Sequence, residues 1–211
     1  MLENIKRELF SANPFRYAYH EEDANLLQEM GIAPENTQEM LVFLRDRNKS
    51  DSLESLLDKP FKPKPQLAPQ ATRFSDGTIP VFYSALELET AEGEVASWYV
   101  KYALNNASDE RTAYYRRFTC NFQGDVKDLG PYSEAMPYLI QDKANGYPHC
   151  NRIGAAAVSE ALDGLLTPSA QTPKGTCLPV FSREALSNPQ GQGFVAFRFD
   201  PALRKISVLS G

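Results

Sequence analysis

The sequence predicts an α+β domain preceded by a helical extension. Several runs of β-branched and aromatic residues are bounded by turn residues, and two stretches with helical spacing are embedded among them. With 211 residues, of which 42% are hydrophobic, the chain is long enough to form one sizeable core. No apolar run approaches the ~20 residues of a membrane span, and the N-terminus lacks a signal-peptide pattern. We therefore expect a cytoplasmic protein that does not contact the membrane.

Charge and residue types argue against several function classes. A net charge of −5 argues against direct binding to nucleic-acid phosphates. The three cysteines, Cys120, Cys150 and Cys177, lack metal-ligand spacing and suit a reducing compartment. Because His20 and His149 are the only histidines, we expect neither a histidine-based metal site nor a Ser–His–Asp triad.

The first 58 residues are expected to be mostly helical. Their apolar residues form three clusters, around Leu26, Met40 and Leu56. This segment either packs on the main domain or serves to dock a partner or to deliver the protein. Residues 60–65 carry three prolines and predict an extended linker, because proline fixes φ and disfavours the α region for its predecessor. The predicted division is therefore an extension and linker at 1–65 and the main domain at 66–211.

The main domain is organised around residues 72–102. Arg73 precedes a turn at Asp76 and Gly77, and residues 79–84 form a β-type run. After this run, apolar residues recur at steps of three and four and predict a helix with one buried stripe. The stripe consists of Leu88, Ala91, Val95, Trp98 and Tyr102.

Polar residues of the same unit form a candidate site. Ser84 is the candidate N-cap of the helix, with Glu87 three residues later as in a capping box. Glu94 borders the buried stripe. One strand–helix unit would thus bring together Arg73, Tyr83 and Glu94.

The rest of the chain predicts further strands and a second helix. Residues 105–109 should end the first helix, residues 131–150 should be irregular, and residues 151–162 should be helical, ended by Asp163 and Gly164. Strands are predicted at 117–123, 126–129, 178–181, 194–199 and 206–209, with turns at Gly124–Asp125 and at Asp200 with Pro201.

The order of four motifs resembles the RES-domain family. They are Arg73, then Tyr83 in Val-Phe-Tyr-Ser-Ala, then Glu94 in Thr-Ala-Glu-Gly-Glu, then Ser169 in Asp-Gly-Leu-Leu-Thr-Pro-Ser. The segments Arg-Ile-Gly-Ala-Ala-Ala, residues 124–129 and residues 175–181 agree with the same pattern. The resemblance covers roughly residues 70–210, and the Arg, Glu and Ser that name the family correspond to Arg73, Glu94 and Ser169.

This resemblance implies an ADP-ribosyltransferase-like fold with an NAD pocket in the main domain. Family members are toxins of bacterial toxin–antitoxin pairs that degrade NAD as glycohydrolases or phosphorylases, and some ADP-ribosylate a protein. NAD would be the substrate, no prosthetic group is expected, and a protein antitoxin or immunity protein would cover the pocket. A homodimer, delivery into a competing cell, and an inactive interaction module remain alternatives.

The resemblance also implies residue roles. Glu94 would stabilise positive charge that develops on the ribose, and Arg73 would bind the pyrophosphate. Tyr83 would stack on nicotinamide or hold the ribose, Ser169 would donate to a phosphate or to the nicotinamide end, and Ser84 would belong to the NAD-binding set. Two departures stand out: the family is often shorter at the N-terminus, and Gln171 stands where an arginine is common.

Each of these residues has a structural alternative. Arg73 could be a surface arginine, Tyr83 a core tyrosine, and Ser169 a turn or cap residue. Glu94 could be a solvated helix residue paired with Lys101 or Arg117. Rival carboxylates are Glu87, Glu89 and Glu92, and weaker pocket candidates are His149 and Tyr115.

Overall fold

The computed structural model of the chain describes residues 2–19, 52–62, 70–106, 111–141, 143–203 and 205–210. These residues form a mixed β core with packed α-helices, which confirms the α+β class. The strands are β1 Arg7–Ala12, β2 Phe15–Tyr19, β3 Phe82–Ala85, β4 Arg111–Asp128, β5 Gly164–Pro168, β6 Thr176–Val180, β7 Leu186–Asp200 and β8 Lys205–Ser210. The α-helices are α1 Leu53–Asp58, α2 Leu88–Asn106 and α3 Tyr147–Ser159. None of these helices is long and apolar enough to cross a membrane.

The eight strands of the described residues belong to one sheet that is organised by the long strand β4. The order is β2-β3-β6-β5-β4-β7-β8, and β1 pairs with β4. Strand β4 pairs antiparallel with β1, β2 and β7, and its last residues pair parallel with β5. Since β2 pairs with both β3 and β4, the short strand β3 is held between β2 and β6. This pairing fixes Tyr83, a candidate site residue, in the interior of the sheet.

Alternation along β3 decides which helix covers which face, because neighbouring strand residues point to opposite faces. Phe82 packs in a cluster with Leu56 and Leu57 of α1. Tyr83 and Ala85 lie on the other face, where Tyr83 packs with the cluster of α3 and Ala85 with that of α2. Helices α2 and α3 therefore cover adjacent areas of one face, and α1 covers the opposite face.

The N-terminal residues 7–12 and 15–19 form strands, so the prediction of helix is wrong there. Strand β1 pairs with residues 122–127 of β4, and β2 pairs with residues 115–119. The apolar clusters that favoured helix begin only at Leu26, and extending them to the N-terminus ignored the β-forming residues Phe10, Phe15 and Tyr17. Helix α1 agrees with the third cluster, whereas the first two clusters and the predicted boundary after residue 65 lie outside the described residues.

Helix α2 buries a slightly different stripe from the predicted one. Tyr99 and Ala103 are 4% and 0% exposed, whereas Trp98 is 58% exposed. Steps of three and of four residues both keep a side chain on the same face of a helix. The sequence alone therefore could not decide whether Trp98 or Tyr99, three and four residues after Val95, is the buried one. The sheet decides, because the ring of Tyr99 packs with Ala113 and Phe197. The predicted break after the helix is confirmed, since α2 ends at Asn106.

Ser84 is a strand residue, so its prediction as a helix N-cap is wrong. It lies in β3 opposite Leu178 of β6, and its hydroxyl donates to the Leu178 carbonyl at 2.8 Å. Helix α2 begins at Leu88, and the main-chain carbonyl of Glu87 accepts the first helical bond from Ala91. The ladder with β6 therefore extends the strand beyond the point where the local pattern predicted a helix start.

The predicted turn at Gly124 and Asp125 is also wrong, because β4 continues through both residues. A Cβ atom on Gly124 would lie 2.6 Å from the side chain of Asp163. The Asp163 carboxylate accepts a hydrogen bond from the main-chain N–H of Asp125 at 2.8 Å. Glycine is thus required here for close approach of the segment before β5, and its conformational freedom is not used for a turn.

Two boundaries differ by several residues. Helix α3 starts at Tyr147, four residues earlier than predicted, and Pro148 fits its first turn because proline needs no hydrogen-bonded N–H there. The helix ends at Ser159, and Gly164 already begins β5. The strands predicted around residues 178–181, 194–199 and 206–209 are confirmed as parts of β6, β7 and β8.

Candidate active site

The candidate site lies where the areas covered by α2 and α3 meet. Tyr83 on β3 has Pro179 as its cross-strand partner, and Ala85 has Cys177. Tyr83 and Cys177 are therefore diagonal neighbours on the same face, a separation of about 7–8 Å in an antiparallel pair. Side chains from α2, from α3 and from the loop after β5 converge on Tyr83 and Cys177.

Glu94 on α2 is bound to the loop after β5. Its Oε1 atom accepts a hydrogen bond of 2.6 Å from the Ser169 hydroxyl and one of 3.1 Å from the Ala170 N–H. The Ser169 oxygen in turn accepts the N–H groups of Gln171 at 3.1 Å and Thr172 at 2.9 Å. Ser169, only 8% exposed, thus links the carboxylate to a tight turn.

One side of the first two turns of α2 contacts this loop. Glu87, Thr90, Gly93 and Glu94 recur at steps of three and four and so lie on one side of the helix. The Glu87 carboxylate accepts the Thr90 hydroxyl at 2.7 Å and the main-chain N–H of Thr176 at 2.9 Å. A Cβ atom on Gly93 would lie 2.6 Å from the Thr172 hydroxyl, so a glycine lets the loop lie against the helix.

Cys177 supplies a third contact to the same carboxylate oxygen. Its thiol lies 3.7 Å from Oε1 of Glu94. Burial, and after it the charge of Glu94, raises the pKa of the Cys177 thiol. The thiol therefore keeps its proton at neutral pH and can act as a donor. Oε2 of Glu94 has no hydrogen-bond partner among the described residues.

Arg73 is a half-buried cation that no described carboxylate neutralises. Its Nη1 donates to the carbonyls of Leu139 at 2.9 Å and Gln141 at 3.0 Å. The guanidinium carbon lies 5.2 Å from the centre of the Tyr147 ring, within the range of a cation–π contact. Its positive charge also lowers the pKa of Cys177, against the larger effects of burial and Glu94. Arg73 thus supplies a positive charge on the α3 side of the site.

Tyr83 fixes the segment that carries Arg73. Its hydroxyl lies 2.7 Å from the Thr72 hydroxyl and accepts the main-chain N–H of Phe74 at 3.0 Å. Burial raises the pKa of Tyr83 to about 12, so the phenol stays neutral. The amide of Asn151 on α3 donates to the carbonyls of Thr72 at 2.7 Å and Arg73 at 2.9 Å.

Gly154 allows α3 to approach this segment. A Cβ atom at that position would lie 2.0 Å from the Phe74 carbonyl oxygen. The glycine of the Arg-Ile-Gly motif is therefore explained by close packing against the segment next to Arg73. Sequence reasoning noted the motif only as part of the family pattern and missed the roles of Gly154, Asn151 and Cys177. A glycine within an apolar helix face was the available signal.

The predicted residues thus divide into two groups. Arg73 and Tyr83 lie on the α3 side, and Glu94 and Ser169 on the α2 side. Ser84 does not join them, because its side chain lies on the opposite face of β3 and donates to Leu178.

The rival carboxylates have other surroundings. Glu89 is exposed, and Glu92 accepts the Tyr17 hydroxyl at 3.3 Å. Glu87 contacts the far end of the loop, as described above. Arg117, considered as an ion-pair partner of Glu94, instead donates to the Gln192 carbonyl.

The two weaker candidates lie elsewhere. The His149 ring stacks on Tyr138 at 4.7 Å, and its Nδ1 lies 3.0 Å from a guanidinium nitrogen of Arg152. Tyr115 is 4% exposed and packs edge-on against Phe197 in the core under α2. Neither residue contacts Glu94 or Ser169.

A cavity of about 410 Å³ opens beside the loop after β5, next to the residues that flank Ser169 and Cys177. Its walls include Leu86, Asp128, Leu166, Lys174 and Thr176. None of the predicted site residues lines it. The converging polar side chains of the candidate site thus lie next to this cavity and outside its walls.

The family model described as RES domain matches residues 46–200 of this chain. The chain belongs to the RES domain family. Among solved structures, it is similar to a chain from the "Crystal structure of the M.tuberculosis MbcT-MbcA toxin-antitoxin complex". The identity is 19%, the TM-score is 0.44, and the match covers 94% of this chain and 89% of that chain. A search of curated proteins found no match.

Proposed function

We propose that this RES domain protein is a toxin that degrades NAD by cleaving the bond between nicotinamide and ribose. The observation that carries the proposal is the hydrogen bonding of the Glu94 carboxylate. One of its oxygens receives hydrogen bonds from the Ser169 hydroxyl and the Ala170 N–H and lies near the Cys177 thiol, and the other oxygen has no partner among the described residues. A carboxylate held in this way is oriented in advance for a developing positive charge.

The reaction needs few functional groups. When the C1′–N bond breaks, its electron pair moves to the nicotinamide nitrogen and neutralises the positive ring, so the leaving group needs no proton. The ribose carbon becomes oxocarbenium-like, and the uncommitted oxygen of Glu94 would stabilise it or hold a ribose hydroxyl. Water or inorganic phosphate then forms the new bond at C1′, and water releases a proton. The shortage of histidine is no obstacle to this chemistry.

The other site residues would bind and orient the dinucleotide. Arg73, which no described carboxylate neutralises, would bind the pyrophosphate with the nitrogens that do not hold Leu139 and Gln141. Tyr83 would form the floor of the site and hold the Arg73 segment through Thr72 and Phe74. In this arrangement Ser169 orients Glu94, and we do not assign it a direct phosphate contact. Ser84 is left out of the proposed set.

The first experiment incubates purified protein with NAD, with and without phosphate, and follows nicotinamide and the sugar product. Wild-type release that is lost in Glu94→Ala and Arg73→Ala supports the proposal. Dependence on phosphate identifies a phosphorylase, and independence a glycohydrolase. Intact NAD after prolonged incubation would contradict NAD degradation and favour ADP-ribosylation of a protein target or an inactive interaction module.

Toxicity is tested separately by controlled expression in bacteria. Growth should stop with the wild type and continue with Glu94→Ala at equal protein level. An antitoxin or immunity protein that covers the site should restore growth when it is co-expressed. Arrest by Glu94→Ala as strong as by the wild type would separate toxicity from the proposed chemistry.

A further inference from the structure

Cys177 is the least expected residue around Glu94. It lies in β6 on the same face as Tyr83, opposite Ala85 and Thr167 in the neighbouring strands. Its thiol is 3.7 Å from Oε1 of Glu94, a separation compatible with a weak S–H···O hydrogen bond. Cys120 and Cys150 are buried in two other core clusters, so the three cysteines have different surroundings.

The three donors to Oε1 reach it from two structural elements. Ser169 and Ala170 belong to the loop after β5, whereas Cys177 belongs to the sheet itself. The loop contacts tie Oε1 to the main chain and hydroxyl at residues 169–170. A contact from the sheet ties the same oxygen to the strand that pairs with the Tyr83 strand. This contact therefore links the position of the Glu94 carboxylate to the half of the site that holds Arg73.

The surroundings favour a protonated thiol as the donor. Burial and the neighbouring Glu94 charge both raise the pKa of Cys177, and only weaker effects from Ser169 and Arg73 oppose them. A thiolate next to the carboxylate would add repulsion between like charges. The S–H group therefore points its proton at the best acceptor in contact, which is Oε1.

We propose that Cys177 is a positioning residue that holds Oε1 of Glu94 against the sheet and leaves Oε2 for the substrate. This inference rests on the proposed function for its kinetic consequence, but the contact itself can be measured without turnover. Because the residue acts through Glu94, its removal should lower kcat more than it changes KM.

The contact is tested first by infrared spectroscopy of the S–H stretch. The difference spectrum between wild type and Cys177→Ala isolates the Cys177 band. We expect this band at the low-frequency, hydrogen-bonded position in the wild type, and at the position of a free thiol in Glu94→Ala. A band that does not move in Glu94→Ala would overturn the proposal, whether or not the protein consumes NAD.

The effect on Glu94 is tested by nicotinamide release from NAD. Cys177→Ala should lower kcat about fivefold with KM within about twofold, the size expected for losing one weak bond to a charged group. Cys177→Ser, which keeps a donor, should recover kcat to within about twofold of the wild type. Cys120→Ala serves as the control for loss of a buried thiol elsewhere, and melting temperatures confirm that each variant folds.

Equal kcat in Cys177→Ala and wild type would overturn the positioning role. The same conclusion follows if Cys177→Ser is no better than Cys177→Ala at equal stability. A wild type that never releases nicotinamide would count against the proposed function alone, since the infrared result still decides whether the contact exists.

Discussion

Glu87 and Glu94 lie about two turns apart on one side of α2, and they hold opposite ends of the same loop. Glu87 accepts the N–H of Thr176 at the end of the loop, and Glu94 accepts the hydroxyl and N–H groups at its beginning. Both carboxylates thus have the same structural role, because each accepts hydrogen bonds from this loop. They differ in position, because Glu87 is exposed at the start of the helix and Glu94 is half-buried beside Cys177.

The difference shows that a carboxylate becomes a candidate for chemistry through its surroundings. Glu87 uses Oε2 for both of its hydrogen bonds and faces solvent. Glu94 also uses one oxygen, but that oxygen is held beside the Cys177 thiol, on the face of the sheet that carries Tyr83. Four substitutions test this comparison, beginning with the one of largest expected effect.

Glu94→Gln should lower nicotinamide release about 10²–10³-fold, because the amide keeps an acceptor for the loop and loses the negative charge. The melting temperature should stay close to that of the wild type. Steady-state assays with NAD and thermal unfolding check both statements. Activity above a tenth of the wild-type value would mean that another carboxylate stabilises the ribose.

Ser169→Ala should lower kcat about 10–100-fold and destabilise the protein by about 1–2 kcal/mol. It removes the donor to Glu94 and leaves the N–H groups of Gln171 and Thr172 without their acceptor. Ser182→Ala is the matched control, because that hydroxyl contacts Glu184 in another loop. Raised KM with unchanged kcat would instead indicate a direct substrate contact by Ser169.

Gly175→Ala should destabilise the fold by about 1–3 kcal/mol through overpacking. A Cβ atom there would lie 2.2 Å from the Thr90 hydroxyl, and Thr90 is 1% exposed and cannot move away easily. Denaturant unfolding should show that Thr90→Ala in the same protein recovers part of the loss. Gly191→Ala, whose new Cβ meets only Leu53 at 3.7 Å, is the control. Equal stability of Gly175→Ala and Gly191→Ala would disprove this packing argument.

Glu87→Gln should have the smallest effect, about 0.5–1 kcal/mol in stability and within about twofold in kcat. The amide oxygen still accepts from Thr90 and Thr176, and only the favourable charge at the start of α2 is lost. Urea unfolding and the NAD assay measure the two quantities. A loss of activity comparable to that of Glu94→Gln would remove the distinction between the two carboxylates.

The α+β class, the helix carrying Glu94 and most strands from β3 onward could be predicted from local patterns. These features depend on the period of the hydrophobic residues and on the turn residues, and both can be read directly from the sequence. The family pattern also identified Arg73, Tyr83, Glu94 and Ser169, and the structure brings Glu94 and Ser169 into direct contact. The roles of these residues in catalysis stay a prediction.

Tertiary structure decided what local patterns could not. The first strands exist because β4 offers them main-chain partners, and Ser84 stays in β3 because β6 pairs with it. Tyr99, and not Trp98, belongs to the buried stripe, because Tyr99 packs in the core beneath α2. The position of Cys177 beside Glu94 depends on strand pairing between distant segments, and no local period encodes such a contact.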